Sequence, residues 1–276
     1  MMLGRPNIRV LALLWLAAAL QGTQAASPAL PVRAAAAAAA SAPAGYASLP
    51  GGNFISALKY EDSGSGVQIA PFRLMSVPVT NADFLAFVRR HPQWRRDVVA
   101  GVFAEARYLS HWATPLQLGD KALPRQPVVW VSWFAAQAYC RAQGAQLPSW
   151  SQWEYAAAAD ELRRDARADR AWRERILAWY AQPSTRALAA VGTQPANAHG
   201  LRDLHGLVWE WTEDFSAMLV SSDNRQQGDP DRLKFCGAGA LSINDRDNYA
   251  VLMRVALLSS LGAADATANL GFRCAR

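Results

Sequence analysis

Cysteine supplies the most reactive side chains in this sequence, and it occurs three times, as Cys140, Cys236 and Cys274. A pair of thiolates can hold a soft metal such as copper(I), and a single accessible thiolate can act as a nucleophile or redox centre. In an oxidising compartment, three cysteines form one disulfide and leave one thiol, and the residues alone leave all three pairings open. The compartment therefore decides which chemistry is available.

Histidine is the other residue type from which a metal site could be built. The four histidines show neither an HxxxH nor an HExxH spacing. They are His91, His111, His199 and His205. The sequence therefore gives no argument for a histidine metal centre.

The N-terminal segment has the pattern of a secretory signal peptide. Arg5 and Arg9 precede an eleven-residue apolar run, Val10–Leu20, and small residues follow up to Ala26. The run is shorter than the ~20 residues of a transmembrane helix. We therefore expect residues 1–25 to be removed and the mature protein to be periplasmic or secreted, with no stable membrane span.

The next segment predicts a linker, and the folded domain follows it. Residues 26–45 contain eleven Ala and three Pro with a single charge, which is typical of a tether without packing positions. Residues 46–276 carry ten of the eleven Trp. Such an aromatic load indicates a compact core and excludes wholesale disorder. The net charge of +6 comes without a basic stripe, so we expect no nucleic-acid partner.

Local signals place short strands and capped helices in the domain. Strands are expected at Gly51–Phe54 and Val67–Ala70 from their turns, and at the buried run Pro127–Val131. Thr80, Ser132 and Ser149 each precede an apolar-periodic segment as helix caps, and Ser149 with Gln152 has the form of a capping box.

The charged segment Glu161–Arg175 predicts a solvated helix with ion pairs along its surface, and the alternative is a surface for an anion or an acidic partner. Its apolar positions fall at helical spacing, at Leu162, Ala166, Trp172, Ile176 and Tyr180. After Gly192 the helix signals stop. The pattern predicts an α+β fold with much irregular chain, without alternating βαβ units.

Three strings in the domain are more specific. They are PVVWVSWFAAQAYCRAQGAQLPSWSQWEYAA at Pro127–Ala157, DLHGLVWEWTED at Asp203–Asp214 and NLGFRC at Asn269–Cys274. In this order they resemble the formylglycine-generating-enzyme-like (sulfatase-modifying-factor) domain, from about residue 49 to residue 274. The resemblance implies the irregular α+β variant of the C-type lectin fold. The charged segment and the Phe-Cys-Gly-Ala-Gly turn make the chain similar to exported, cysteine-poor members of that family.

The resemblance also implies a site for copper, and this chain departs from it. Oxidases of the family use two cysteines to bind copper(I) and convert a substrate cysteine to formylglycine with oxygen. Counting back from Arg254 places those cysteines at Ala250 and Asp245, and counting forward from the glycine turn gives a position near Ser242. The segment 237–273 contains no cysteine. Because copper(I) selects thiolates, we expect neither copper binding nor formylglycine formation.

For the cysteines that remain, the resemblance implies a Cys140–Cys274 disulfide. Cys236 is then left as a thiol. It is either buried and inert, or functional because it lies beside the glycine turn that leads into the family's active-site segment.

The resemblance implies a calcium site in the second string. Asp203 and Glu210 would supply carboxylates, and Gly206 and Val208 backbone carbonyls, an oxygen donor set that suits calcium. The alternative is that Asp203 and Glu210 only accept hydrogen bonds from backbone N–H groups of the turn.

Two functions are compatible with these residues. The first is a maturation or accessory factor that acts on an exported peptide, protein or siderophore precursor, and the second is a non-catalytic lectin-like binding module. A third idea is an accessory factor for a periplasmic metalloenzyme. In the first case Arg254 could orient a carboxylate and Asn269 could bond a peptide backbone. The candidate groove residues are Cys236, Ser242, Asp245, Arg246, Tyr249, Arg254 and Asn269.

Overall fold

A computed structural model describes residues 45–57, 66–182, 187–216 and 249–276. Four of the candidate groove residues lie outside the described residues: Cys236, Ser242, Asp245 and Arg246. The elements are, in chain order, β1 (Tyr46–Leu49), β2 (Gly52–Phe54), β3 (Val67–Ile69), β4 (Phe72–Met75), α1 (Asn81–Arg90), a 3-10 turn (Pro92–Trp94), α2 (Trp133–Ala142), α3 (Trp150–Ala157), α4 (Arg170–Tyr180), β5 (Trp209–Glu210), α5 (Tyr249–Ser259) and β6 (Leu270–Gly271).

The strands form three two-stranded sheets. β1 pairs antiparallel with β4, β2 pairs antiparallel with β3, and β5 pairs parallel with β6, with Trp209 opposite Leu270. The turn into β2 needs glycine at Gly51, because its φ is +67° and a Cβ there would lie 2.2 Å from the Ile69 carbonyl oxygen. Short sheets joined by irregular chain confirm the expected α+β fold.

The predicted helix caps are confirmed. The Thr80 hydroxyl accepts from the Asp83 N–H at 3.1 Å, and the Asp83 carboxylate accepts from the Thr80 N–H at 3.3 Å, which starts α1. Ser132 caps α2 by accepting from Ala135, and Ser149 forms the expected capping box with Gln152 at α3. These caps satisfy helix N–H groups that would otherwise lack partners.

The expected strand at Pro127–Val131 does not form. Trp130 has a φ of +53°, which breaks the extended conformation, and the N–H groups of the run bond to separate segments. Val128 donates to the Val79 carbonyl and Trp130 to the Thr267 carbonyl, each at 2.9 Å. The run is buried because it passes between the segment that contains Val79 and the segment that contains Thr267, and it bonds to both.

The prediction for the charged segment is correct only in its second half. The Asp160 carboxylate accepts from the N–H groups of Leu162 and Arg163, which fixes a turn in place of the helix start. Leu162 is 90% exposed, so it does not belong to an apolar helix face. Asp169 caps α4 instead, by accepting from Trp172 at 3.0 Å. Helix α5 lies after Gly192, in the part of the sequence where the pattern predicts no helix.

The largest core cluster packs α1 and α2 against the C-terminal segment. Phe84, Tyr139 and Phe272 are in ring contact at its centre, with centroids 5.3–6.0 Å apart. The Cys140–Cys274 disulfide lies in the same cluster and confirms the implied pairing. No helix in the described part of the chain is long and apolar enough to cross a membrane.

Candidate functional site

The centre of the site is a buried ion pair between Arg273 and Glu210. β5 carries Glu210, and its pairing with β6 brings Arg273 alongside. Arg273 Nη2 and Nε donate to Glu210 Oε1 at 2.8 and 3.0 Å, and both side chains are 0% exposed. Further Arg273 N–H groups donate to the carbonyls of Met75 and Arg202 at 3.0 and 2.9 Å. These bonds offset the free-energy cost of burying the pair.

Trp153 joins this pair to α5. Its Nε1 donates to Glu210 Oε2 at 2.8 Å, and the Arg254 guanidinium carbon lies 3.5 Å from the centroid of its ring. Arg254 is 1% exposed and also donates through Nη2 to the Glu210 backbone carbonyl. Burial lowers the pKa of Arg254 to about 10, so the side chain remains a cation at neutral pH. The face of an aromatic ring stabilises such a cation.

Asp203 lies next to this cluster in a strained backbone conformation. Its φ is +61°, and its Oδ2 accepts from the Gly192 N–H. Its Oδ1 is buried without a hydrogen bond of normal geometry from the described residues. Burial is the main reason that the pKa of Asp203 is raised, although the Gln194 backbone N–H lies close enough to this carboxyl to lower its pKa in part.

The donor chemistry of this turn fits a hard cation in part. Asp203 Oδ1 is a buried acceptor without a hydrogen bond of normal geometry. The Glu210 carboxylate already accepts four hydrogen-bond contacts, three from Arg273 and one from Trp153, and so fills its roughly four acceptor positions. Within the described ranges no three His, Cys, Asp or Glu side chains gather as a metal site. A calcium ion would therefore also need the carbonyls of Gly206 and Val208 and water, since it takes 6–8 oxygen ligands. Calcium binding stays a prediction.

A cleft of about 940 Å³ opens between α4, the segment 187–209 and α5. One of its walls consists of three aromatic rings in mutual contact. Trp209 lies 5.6 Å from Trp179 and 4.8 Å from Tyr180, and the last two are 4.6 Å apart. Polar amides of Gln194 and Asn269 also line the cleft. Such a volume with a mixed apolar and polar lining is typical of sites for organic ligands.

The structure does not place Arg254 and Asn269 in one groove. Asn269 lines the cleft, where its backbone carbonyl accepts from the Trp209 N–H at 2.8 Å. Arg254 lines a separate cavity of about 40 Å³. Helix α4 forms part of the wall of both cavities through Trp172 and Tyr180.

The small cavity contains the position at which the family's copper site was expected. Ala250, in the first turn of α5, lines it beside Arg254 and contributes a methyl group in place of a thiolate. Tyr249 is the first residue of the same helix. Asp245, the other counted position, lies outside the described residues. The described part of this cavity therefore holds no copper ligand of the expected kind.

Sequence reasoning missed the aromatic wall and a buried histidine. Helical spacing places Tyr180 on an apolar helix face, and it does not predict that Trp179 and Tyr180 contact Trp209 of the Trp-Glu-Trp string. His205 bonds through Nε2 to the Ala157 carbonyl at 2.9 Å, and burial lowers its pKa to about 4. No spacing in the sequence indicates that environment.

Comparisons with known proteins agree with this architecture. The profile of the sulfatase-modifying factor enzyme 1-like domain matches residues 32–276. A formylglycine-generating enzyme of Streptomyces coelicolor is 29% identical over 305 residues, which cover 91% of this chain and 95% of that protein. The inactive C-alpha-formylglycine-generating enzyme 2 of Mus musculus is 30% identical over 274 residues, covering 82% and 84%.

Among solved structures, PvdO from Pseudomonas aeruginosa is similar, with 18% identity and a TM-score of 0.43 over 84% of this chain and 93% of that one. The domain profile alone spans most of the sequence, from the linker to the C terminus. The chain therefore belongs to the sulfatase-modifying-factor, or formylglycine-generating-enzyme-like, family.

Proposed function

We propose that this protein is an exported maturation or accessory factor that binds a peptide, protein or siderophore precursor, without copper-dependent formylglycine formation. The observation that carries the proposal is the division of the expected groove. The position of a family cysteine is Ala250, in a cavity of about 40 Å³, while a cleft of about 940 Å³ lies beside it and shares Trp172, Ile176 and Tyr180 of α4 as lining. The larger space favours ligand binding, and the smaller one lacks a thiolate.

The lining of the cleft supports a ligand with both apolar and hydrogen-bonding parts. The wall of Trp179, Tyr180 and Trp209 offers apolar faces to rings or aliphatic side chains. The amides of Gln194 and Asn269 can donate to and accept from peptide groups. A segment of a peptide or of a peptide-derived precursor presents both kinds of group.

A non-catalytic lectin-like binding module is the second candidate, and one observation favours it. Ala250, at the position counted for one family cysteine, contributes a methyl group to the small cavity in place of a thiolate. Mass spectrometry of a captured ligand before and after incubation with the protein distinguishes the two candidates. A maturation factor changes the mass of its ligand, and a binding module leaves the mass unaltered.

Export is part of the proposal and has its own test. The Arg5–Ala26 pattern predicts cleavage near Ala25. N-terminal sequencing of the protein recovered from the periplasm should start within a few residues of Ala26. A full-length cytoplasmic product would contradict export.

The cleft is tested by filling it. Met253 lines the cleft and is 40% exposed, so Met253→Trp places a ring in the space with little cost to the core. Val102→Trp is the matched control, since Val102 is 70% exposed and does not line the cleft. Immobilised wild type and both variants are incubated with an extract of exported proteins and metabolites, and retained species are quantified by mass spectrometry.

The expected result is a species retained by the wild type and by Val102→Trp but lost with Met253→Trp. Asn269→Ala should weaken the retention. Equal retention by Met253→Trp, or no species enriched by the wild type, would overturn the assignment of the cleft.

A further inference from the structure

A groove of about 460 Å³ follows the outward face of helix α2. One side of it consists of Phe134, Gln137, Ala138 and Arg141. Their spacing of i, i+3, i+4 and i+7 places these four side chains on one face of the helix. The opposite face of α2, which carries Tyr139, is buried in the core. This space, the α2 groove, is therefore a surface feature with a rigid helix as its base.

The segment that follows α1 forms the other side of the α2 groove. Its contribution is apolar and partly exposed, since Val98 and Phe103 line the groove and remain 54% and 44% exposed. The ring of Phe103 lies between those of Trp94 and Phe134, with centroids 6.2 and 5.3 Å away. Exposed apolar side chains gathered in one groove mark a binding surface.

The charges around the α2 groove favour an anionic ligand. The lining includes one charged residue, Arg141, which is exposed in the last turn of α2 and forms no salt bridge with a carboxylate of the described residues. Residues 89–97 add four arginines, and their single acid, Asp97, is paired with Arg95 at 2.5 Å. This excess of positive charge attracts an anionic group to the groove.

An aliphatic chain fits the α2 groove better than a protein segment does. An extended peptide carries an N–H and a C=O at each residue that need partners, and besides Arg141 the polar lining consists of Gln93 and Gln137. One turn of a helix, about 10–12 Å across and 5.4 Å long, would already fill the volume. A second copy of the chain would bring a second set of arginines against the first, and like charges repel.

We propose that the α2 groove binds a medium-chain carboxylate, an amphiphile of the fatty-acid type. The alkyl chain packs on the rings of Trp94, Phe103 and Phe134, and the carboxylate accepts from the Arg141 guanidinium. The volume of about 460 Å³ lies within the range of about 300–1,000 Å³ that is usual for small-molecule sites. The residues that line the α2 groove differ from those that line the cleft, so the site does not depend on the function proposed for the cleft.

Calorimetric titration with carboxylates of increasing length tests the proposal. The wild type is titrated with sodium hexanoate, octanoate and decanoate, each below its micelle concentration. Because the burial of methylene groups drives binding, we expect the dissociation constant to fall about tenfold for each two-carbon extension. Octylammonium has the chain of octanoate and the opposite charge, and it should bind about tenfold more weakly than octanoate.

Filling the α2 groove should remove the binding. Ala100 is exposed and lines the groove, so Ala100→Trp places a ring in the space without disturbing the core. We expect this variant to bind decanoate at least about tenfold more weakly, since the ring takes the place of several methylene groups. Ala106→Trp is the matched control, because Ala106 is exposed in the same part of the chain and does not line the groove. This control should bind decanoate as the wild type does.

The charge of Arg141 is tested separately. Arg141→Gln should weaken decanoate binding by about threefold to fivefold, which is the range of an ion pair at an exposed site. Arg141→Lys should restore most of the affinity, since it keeps the cation. Lys121→Gln is the control for net charge, because Lys121 is exposed and does not line the groove, and it should leave binding unchanged. Crystals soaked with 10-bromodecanoate should show an anomalous peak beside Phe103 or Phe134.

Equal affinity for octanoate and octylammonium would overturn the proposal, and so would unchanged decanoate binding in Ala100→Trp. A bromine position outside the α2 groove would also overturn it. A wild type that sediments as a dimer, together with a monomeric Ala100→Trp, would assign the groove to a second copy of the chain instead. Binding of an amphipathic Leu/Glu helical peptide in the groove, without binding of decanoate, would assign it to a protein partner.

Discussion

Arg273 and Glu210 form an ion pair in which neither side chain is exposed, although 63 positions separate them in the sequence. The pair fixes β5 against the C-terminal segment, and Trp153 extends it to Arg254 through a hydrogen bond and a ring contact. The three strings that carry the family resemblance are thus joined at Glu210, which accepts from Trp153 of the first string and from Arg273 of the third. The geometry of the site depends on this pair before any ligand binds.

Removing one partner of the pair should strongly destabilise the fold. We expect Arg273→Met or Glu210→Gln to lower the free energy of unfolding by about 3–5 kcal/mol, because the remaining partner stays buried and unpaired. Urea unfolding at pH 7 measures the loss. Arg170→Met is the control, since the Arg170–Glu174 pair is exposed and should change stability by only about 0.5 kcal/mol. Losses of similar size in all three variants would contradict the prediction.

The disulfide should account for a further part of the stability. It links residues 134 positions apart, and closing such a loop is worth on the order of 4–5 kcal/mol in the simple chain-entropy model. We expect Cys140→Ala with Cys274→Ala to lower the unfolding midpoint markedly, and Cys236→Ser to leave it unchanged. Non-reducing peptide mapping should recover Cys140 with Cys274 and a free Cys236. A recovered Cys236–Cys274 pair would contradict both the structure and the resemblance.

The caps of the first three helices could be predicted because they are local. The side chains of Thr80 and Ser149 bond to N–H groups three residues away, so spacing alone reveals them. Helix α5 could not be predicted in the same way. Its sequence YAVLMRVALLS is apolar nearly throughout, and such a run does not distinguish a helix from a strand by periodicity.

The site shows the same division between local and long-range information. Asp203 and Glu210 were identified because their string is specific. The orphaned Oδ1 of Asp203 and the Arg273 partner of Glu210 depend on tertiary contacts that no spacing encodes. Arg254 and Asn269 were assigned to one groove from the resemblance, and only the packing of α4 shows that they face different cavities.

Acid should destabilise the protein through His111. Its Nε2 bonds to the Asn81 side chain at 3.3 Å, and burial lowers its pKa to about 4. Because the pKa in the unfolded chain is near 6.5, the folded state loses stability as the pH falls from about 6.5 to about 4, by up to about 3 kcal/mol. His111→Gln retains an N–H donor for Asn81 without titrating. Urea unfolding from pH 7.5 to pH 4 should therefore fall less steeply in this variant, and parallel curves would contradict the prediction.

Calcium should stabilise the protein if the second string forms the implied site. Asp203 Oδ1 is the acceptor that an ion would satisfy. A ligand that binds only the folded state adds about 2.7 kcal/mol at one hundred times its dissociation constant, which corresponds to several degrees in the midpoint. We expect that difference between calcium and chelator in the wild type and in the control Asp120→Ala, and none in Asp203→Ala. An unchanged unfolding midpoint in the wild type would contradict the prediction that calcium binds at this site.

The protein should not form formylglycine. The family's oxidation needs two thiolates to hold copper(I), and here one expected position is Ala250, while Cys140 and Cys274 are joined in a disulfide. We expect a Cys-x-Pro-x-Arg sulfatase peptide to remain unmodified after incubation with the protein, copper and oxygen. Mass spectrometry detects the loss of sulfur that accompanies aldehyde formation, and a family oxidase with both cysteines is the positive control. If the aldehyde forms and disappears in Cys236→Ser, then Cys236 is catalytic and the active-site segment begins at the glycine turn beside it.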